Sequence, residues 1–407
     1  MTTDTAKVRT VAIAGHGSSG KTSLIDTALF VSGTVGTHHK VDQGNSLADC
    51  SPDEIERKIT IHSKPLLCEW NNHQVYLLDT PGVADFVGDA VAAIHAADAA
   101  VVVVDGVSGV EVGTRRAWKL LDELETPRLI FVNKLDKENS DFFKCVDQIR
   151  AAFGKNCIPF ELPVGKQAEF SKVVNLRTTA AADVPDELKD QFSQAHDSLE
   201  EAAAEQDDAL IEKYLEGERL TVEQITEGTH EGIKKGAIIP IFCGSAEKEI
   251  GLRQLLDAVV ALLPAPTERL ALPVEGEAQP DLKPDAPFCG FVFKVTVDPY
   301  AGALAYVRVV SGRLTPNSEV INPRSGNKEK ITQLLRVQGK KQDPVDAAGP
   351  GDIVAVPKLK DTHINDTLCS AGQSVRFAAI HFPTPVDRKS TRLNSSHSQQ
   401  SRMPSSA

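Results

Sequence analysis

The sequence predicts a doubly wound α/β domain with a mostly parallel sheet, followed by a separate antiparallel β-barrel. Three observations carry that expectation. Short apolar runs of the buried parallel type, such as Ala100–Asp105 (AVVVVD) and Arg128–Val132 (RLIFV), alternate with helical patterns through the first part of the chain. The stretch Gly15–Thr22 (GHGSSGKT) fits G-x-x-x-x-G-K-[ST] between a strand-like run and an amphipathic helix. Beyond a Pro-, Glu- and Ala-rich stretch, Pro264–Pro287, the period changes to alternating segments such as FCGFVFKV and LAYVRVV, punctuated by turns at DPYAG, VSGRL and NPRSGN.

Taken in order, Val11 and Ile13 mark a buried strand that leads into the glycine-rich loop. Gly15, Gly17 and Gly20 let the backbone curl closely around phosphate oxygens, with His16, Ser18 and Ser19 between them. Successive N–H groups and the helix N-terminus near Lys21 form an anion nest. Lys21 adds a point charge on the β/γ-phosphates, and Thr22 adds a hydroxyl for Mg²⁺. ERKITI (Glu56–Ile61) offers Thr60 as a second hydroxyl for the metal, although the same stretch also reads as a plain edge strand. The strand Gln74–Leu78 ends in DTPG, where Asp79 can hold Mg²⁺ through water and the Gly82 N–H can sense a γ-phosphate.

After the strand Arg128–Val132 comes NKLD, with Asn133, Lys134, Leu135 and Asp136. The Asp136 carboxylate can accept two hydrogen bonds from the N1–H and 2-amino group of guanine, a donor pair that adenine lacks. CGSA (Cys243–Ala246) follows the apolar run Ala237–Phe242 and sets the Ser245 and Ala246 backbone groups to meet the same base. A helix over Leu252–Leu263 closes the domain.

GHGSSGKT, DTPG, NKLD and GSA in this order resemble the elongation factor G family of translational GTPases. Phe293–Leu314 (FKVTVDPYAGALAYVRVVSGRL) and Asp361–Cys369 (DTHINDTLC) resemble that family's β-barrel second domain. The resemblance implies an α/β P-loop GTPase domain at 1–265 with an α/β insert at about 155–237. It further implies a linker at 266–286, a barrel at 287–371 and the opening of a third domain at 372–386. HFPTPV (His381–Val386) carries the last of these, so a longer natural protein is expected.

What the resemblance implies about chemistry is GTP or GDP with Mg²⁺, held by the glycine-rich loop, by Asp79, Thr80, Pro81, Gly82 and Val83, by NKLD, and by Ser245 and Ala246. Thr22, Thr60 and Asp79 would attend the metal, the last through water. Lys21, Thr60 and Gly82 would serve the cleavage of GTP. The implied task is ribosome-dependent hydrolysis coupled to translocation or a related step, with ribosomal RNA and a stalk protein as partners. The acidic helical stretch Asp186–Glu216 resembles the family insert that meets the stalk, while its composition alone reads as a solvated face.

Three departures bear on turnover. Val83 stands where the family usually has a His that orients water, Ser18 where it usually has an Asp tied to a monovalent cation, and Lys58 where a Gly usually precedes Ile-Thr. These point to a divergent paralogue. His16 and Asp85 are the nearby candidates for the absent His, and loop structure is the blander role for each. Two other readings stay open, a GTP-dependent ribosome-binding switch with little hydrolysis and a ribosomal protection or recycling factor. A P-loop kinase is disfavoured by NKLD.

With 407 residues and 41% hydrophobic content, the chain suits two or three domains with real cores. A net charge of −12 argues against binding free RNA or DNA. No window approaches a membrane span, and MTTDTAKVRT lacks an apolar signal region, so a cytoplasmic monomer off the membrane is expected. The seven scattered cysteines lack C-x-x-C spacing and read as incidental thiols, neither a disulfide framework nor a zinc site. His38, His39 and Lys40 read as a mobile polar loop of the first switch. From Asp387 on, DRKSTRLNSSHSQQSRMPSSA resembles a translated sequencing adapter, so no function is expected of it.

Overall fold

The computed structural model describes residues 4–268, 272–276, 278–298 and 302–382. The chain opens on β1 (Val8–Gly15), all of whose residues are buried, as a parallel strand covered on both faces requires. There follow α1 (Lys21–Val31), α2 (Pro52–Arg57), β2 (Lys64–Trp70), β3 (His73–Asp79), α3 (Val87–Ala96), β4 (Ala99–Asp105), α4 (Val112–Glu123), β5 (Arg128–Asn133), α5 (Phe142–Phe153) and β6 (Cys157–Pro159). An excursion holds β7 (Glu161–Val164), β8 (Lys172–Asn175), α6 (Lys189–Ala204), α7 (Asp208–Leu215) and α8 (Val222–Lys234). The chain then returns through β9 (Ile239–Cys243) and α9 (Leu252–Leu262).

The first sheet has seven strands in the order β2-β3-β1-β4-β5-β9-β6. Every neighbouring pair is parallel except β2 with β3. Because β1 lies between β3 on one side and β4 on the other, the order reverses at β1 and a crevice opens beyond its carboxyl end. The stretch 155–237 does not leave the sheet at once. Its first strand, β6, pairs with β9 as the seventh strand, and only after Pro159 does the chain depart. Within the excursion, α6 and α8 pack closely at Gly228, where an added Cβ would lie 2.4 Å from the Ala203 carbonyl oxygen.

The second sheet is antiparallel and comprises β10 (Cys289–Asp298), β11 (Gly302–Ser311), β12 (Glu319–Ile321), β13 (Lys328–Lys330), β14 (Leu335–Gln338), β15 (Lys341–Pro344), β16 (Ile353–Pro357) and β17 (Thr367–Cys369). Its order is β13-β12-β17-β10-β11-β16-β14-β15, around a core that includes Val292, Val307, Val309, Ile331, Leu334, Val356 and Leu368. The ladder has two ends, β13 and β15, with no pairing between them among the described residues.

The Pro-rich stretch is not a free tether. Val274 bridges Phe377, the Glu275 N–H donates to the Arg376 carbonyl at 2.7 Å and the Ala378 N–H to the Pro273 carbonyl at 2.9 Å. His381 and Phe382 are described, whereas the rest of HFPTPV and the adapter-like stretch from Asp387 lie outside the described residues.

Buried polar contacts join the two sheets. The Arg308 guanidinium, 4% exposed, donates to both Asp98 carboxylate oxygens at 2.7 and 2.6 Å, and also to Thr10 Oγ1 and the Gly351 carbonyl. Tyr76 donates to Asp352 at 2.9 Å, and Lys294 Nζ to the Ser63 carbonyl at 2.6 Å. No described helix is long and apolar enough to cross a membrane.

Candidate nucleotide-binding site

A cleft of about 630 Å³ lies beyond the carboxyl end of β1, lined by Gly17, Ser18, Gly20, Lys21, Thr22, Thr60, Gly82, Val83, Lys134 and Ala246 among others. Gly20 caps α1 with φ 90°, where L side chains are strained, and a Cβ there would strike Asn133 Nδ2 at 2.3 Å. Gly82 is equally confined, since its Cβ would lie 2.4 Å from Lys21 Nζ and 2.6 Å from the Gly17 nitrogen. The loop from Asp79 and the loop from Gly15 therefore touch backbone to backbone. Thr80 Oγ1 donates to the Ile13 carbonyl at 2.6 Å, fixing Pro81 and Gly82 against β1.

Lys21 is buried and donates to the His16 carbonyl at 2.7 Å, with the Gly15 carbonyl at 3.3 Å. Burial pushes its ammonium down to about 8, and Asp79 opposes that fall. Such a cation gains from an incoming polyanion that replaces neutral carbonyls.

The three residues expected at a metal converge, although Thr60 is 38 residues from Thr22 and 19 from Asp79. Thr22 Oγ1 lies 2.8 Å from Thr60 Oγ1 and donates to Asp79 Oδ2 at 3.0 Å, while Thr60 Oγ1 is 3.4 Å from that same oxygen. Asp79 is fully buried and its other oxygen, Oδ1, has no hydrogen-bond partner. Burial raises its carboxyl to about 6, with Lys21 pulling the other way. Two hydroxyls and an orphaned buried carboxylate oxygen are a hard, oxygen-only donor set, which fits Mg²⁺.

Two residues escaped the sequence reading. Asp49 is buried and lines the same cleft, and its Oδ1 is likewise unpartnered. Burial, reinforced by Asp79 and Glu54, lifts its carboxyl to about 7. Glu54 has no exposed surface and accepts from the Ile61 and His62 N–H groups, both at 3.1 Å, and from Lys64 Nζ at 2.6 Å. It thereby folds the stretch around Thr60 into a loop, not a strand. The S-x-x-E spacing of Ser51 and Glu54 was the available signal, since it makes the capping box of α2.

Asn133 links three motifs. Its Oδ1 accepts from the Ala246 N–H at 2.9 Å and the Lys134 N–H at 2.8 Å, and its Nδ2 donates to the Ser19 carbonyl at 3.1 Å. Lys134 Nζ reaches the Ser18 carbonyl at 2.5 Å and Asp105 at 2.7 Å. Leu135 is buried, and its N–H donates to the Gly244 carbonyl at 3.2 Å. Asp136 keeps one carboxylate oxygen, Oδ1, buried without a partner. Ser245 is fully buried and accepts from the Lys248 N–H at 3.1 Å.

The first-switch histidines differ from the mobile loop expected. His38 Nε2 is 2.9 Å from Thr27 Oγ1, its Nδ1 is 3.1 Å from Glu249, and its ring stacks on Phe30 at 5.2 Å. A polar tripeptide gives no hint of such long-range anchors. His39 and Lys40 line the cleft. Val83 also lines the cleft, offering only methyl groups. His16 is engaged elsewhere, its Nδ1 accepting from the Gly113 N–H at 3.1 Å and its Nε2 lying 3.4 Å from Glu111. Asp85 is exposed and does not line the cleft.

Comparison with known proteins gives consistent matches. The family described as elongation factor Tu GTP binding domain matches residues 6–265, and the one described as elongation factor G domain 2 matches residues 287–371. Curated proteins named elongation factor G from Thermotoga neapolitana and Thermotoga maritima are each 35% identical over 403 residues, covering 94% of this chain and 58% of theirs. A crystal structure of a Thermus thermophilus protein superposes with a TM-score of 0.83 at 33% identity, covering 94% of this chain and 57% of that one. The chain thus spans about 58% of the length of the curated relatives it matches.

Proposed function

The chain belongs to the elongation factor G family, and from that premise we propose that it is a GTP-binding translation factor, acting on the ribosome in translocation or a related step. The observation that carries the proposal is the meeting of Thr22, Thr60 and Asp79 beside Lys21, with Asp79 Oδ1 left unpartnered. A bound Mg²⁺ would neutralise charge on the β- and γ-phosphates.

In this reading the chain's own groups divide the work. The glycine-rich loop N–H groups and α1's N-terminus receive the phosphates, and Lys21 exchanges its carbonyl partners for phosphate oxygens. Thr22 and Thr60 would offer hydroxyls to the metal, while Asp79 and Asp49 would hold it through water. Gly82, packed against Gly17 and Lys21, reports the γ-phosphate to the second switch. Asp136 receives guanine, and Asn133 keeps NKLD, the glycine-rich loop and the Ala246 loop in register. Ser245 and Ala246 supply backbone groups at the base.

Hydrolysis needs a water held in line with the γ-phosphate, and Val83 cannot hold one. That observation favours a second reading, a nucleotide-controlled switch with slow turnover. Cytoplasmic location, a monomeric state, and contacts with ribosomal RNA and the stalk protein belong to the same proposal. Single-turnover GTP hydrolysis by the full-length protein, with and without ribosomes, tests it. Ribosome-stimulated hydrolysis above a Lys21→Ala control supports the enzyme. Tight GTP binding with turnover equal to that control supports the switch, and absence of guanine-nucleotide binding overturns both.

A further inference from the structure

The barrel contains a pair of cysteines that the function above does not use. Cys289 opens β10 and Cys369 closes β17, so they stand where the chain enters and leaves the second sheet. They are direct partners in the antiparallel register, and their sulfur atoms lie 3.4 Å apart. No other two cysteine sulfurs are in hydrogen-bond contact among the described residues.

Ladder geometry favours their union. The Ser370 N–H donates to the Phe288 carbonyl at 2.9 Å and the Val292 N–H to the Asp366 carbonyl at 2.9 Å. Those are hydrogen-bonded pairs, so by alternation Gly290 and Leu368 form another. Cys289 and Cys369 then occupy the non-hydrogen-bonded position between them. At such positions Cα atoms are about 4.5 Å apart and side chains closest, which falls within the span a disulfide bridges.

We propose that Cys289 and Cys369 are a peroxide-responsive pair that closes into a reversible disulfide, clasping the entry and exit strands of the barrel. A thiolate attacks one oxygen of hydrogen peroxide, releasing hydroxide and leaving a sulfenic acid. The second thiol displaces water from that sulfur, so two thiols and one peroxide become one disulfide and two waters. The hydrogen bond it shares with Cys289 holds the Cys369 thiol below its ordinary value, which makes it the first to react.

Both sulfurs are buried, so reaction proceeds through local opening of β17, a strand of only three residues followed by the Ser370–Gly372 turn. The closed disulfide would shut a long loop in the unfolded chain and stabilise the barrel.

The full-length protein is treated with hydrogen peroxide, quenched, denatured, alkylated and digested without reductant. The expected product is a linked Cys289–Cys369 peptide pair, two hydrogens lighter than the reduced peptides and released by dithiothreitol. An accompanying rise of several degrees in melting temperature should reverse on reduction. Cys289→Ala and Cys369→Ala proteins should show no peroxide-dependent rise. Alkylation of both cysteines after treatment, their conversion to sulfinic acids, linkage to other cysteines, or an equal rise in the variants would overturn the proposal. Peptide mapping of the unmutated protein decides the matter even where a variant does not fold.

Discussion

Replacing Glu161 with Gln should stabilise the protein at neutral pH, by an amount that depends on pH in a defined direction. Glu161 begins β7 with no exposed surface, its Oε1 lacks a partner, and its Oε2 accepts a long 3.4 Å bond from the Cys243 N–H. Burial pushes its carboxyl from 4.5 to about 8, against a smaller pull from the Cys243 N–H and the Arg177 charge. A raised carboxyl means that the folded chain binds a proton the unfolded chain has lost. Stability therefore falls as pH rises from 4.5 towards about 8, and the loss is complete above that. At about 1.4 kcal/mol per unit, the penalty near pH 7 is on the order of 3 kcal/mol. Glutamine is neutral throughout and keeps an acceptor for Cys243, so Glu161→Gln should gain about 1–3 kcal/mol at pH 7, with the advantage shrinking towards pH 4.5. Urea unfolding of both proteins across this range measures it. An advantage that does not change with pH, or a destabilised variant at pH 8, would refute the reasoning.

Further outcomes follow from the contacts around the site and between the sheets. Arg308→Ala removes the guanidinium that donates to both Asp98 carboxylate oxygens and should cost about 3–5 kcal/mol in denaturant unfolding, with Arg308→Met no milder because it replaces neither of those bonds. A loss under 1 kcal/mol would show that water takes the arginine's place. Asn133→Ala removes the bonds that tie NKLD to Ser19 and Ala246, and should weaken GDP affinity by about 10- to 100-fold in equilibrium titration. Val83→His restores a hydrogen-bonding group at the cleft, and should raise ribosome-stimulated single-turnover hydrolysis by about 10²–10³ without changing GTP affinity.

The parts of the site that were legible in sequence share one property, that spacing within a short motif dictates their chemistry. GHGSSGKT announced its loop because Gly20 and Lys21 are needed at one turn, and the structure places both there. The parallel order was legible in kind, from AVVVVD and RLIFV, but not in extent. That β6 would join β9 depends on a contact about 80 residues away, which no local pattern encodes. Asp49 was hidden for the same reason, since an isolated carboxylate shows its role only once the chain folds around it, and the capping-box spacing of Glu54 marks a helix start without showing that the same carboxylate gathers the Thr60 loop. The ERKITI ambiguity had a physical cause, because alternating Ile59, Thr60 and Ile61 satisfy strand periodicity while Glu54 captures the Ile61 and His62 N–H groups. Arg308 with Asp98, and Cys289 with Cys369, are pairings of tertiary structure and register, invisible to composition.

The central claim is that this cleft is built for guanine nucleotides, and competition binding tests it most directly. Labelled GDP on the full-length protein in Mg²⁺ should be displaced by GTP and not by ATP. Xanthosine triphosphate carries a 2-oxo group where guanine has its amine, so it should compete poorly with the natural chain and well with Asp136→Asn. ATP displacing GDP as readily as GTP, or an Asp136→Asn protein with unchanged preference, would contradict the account.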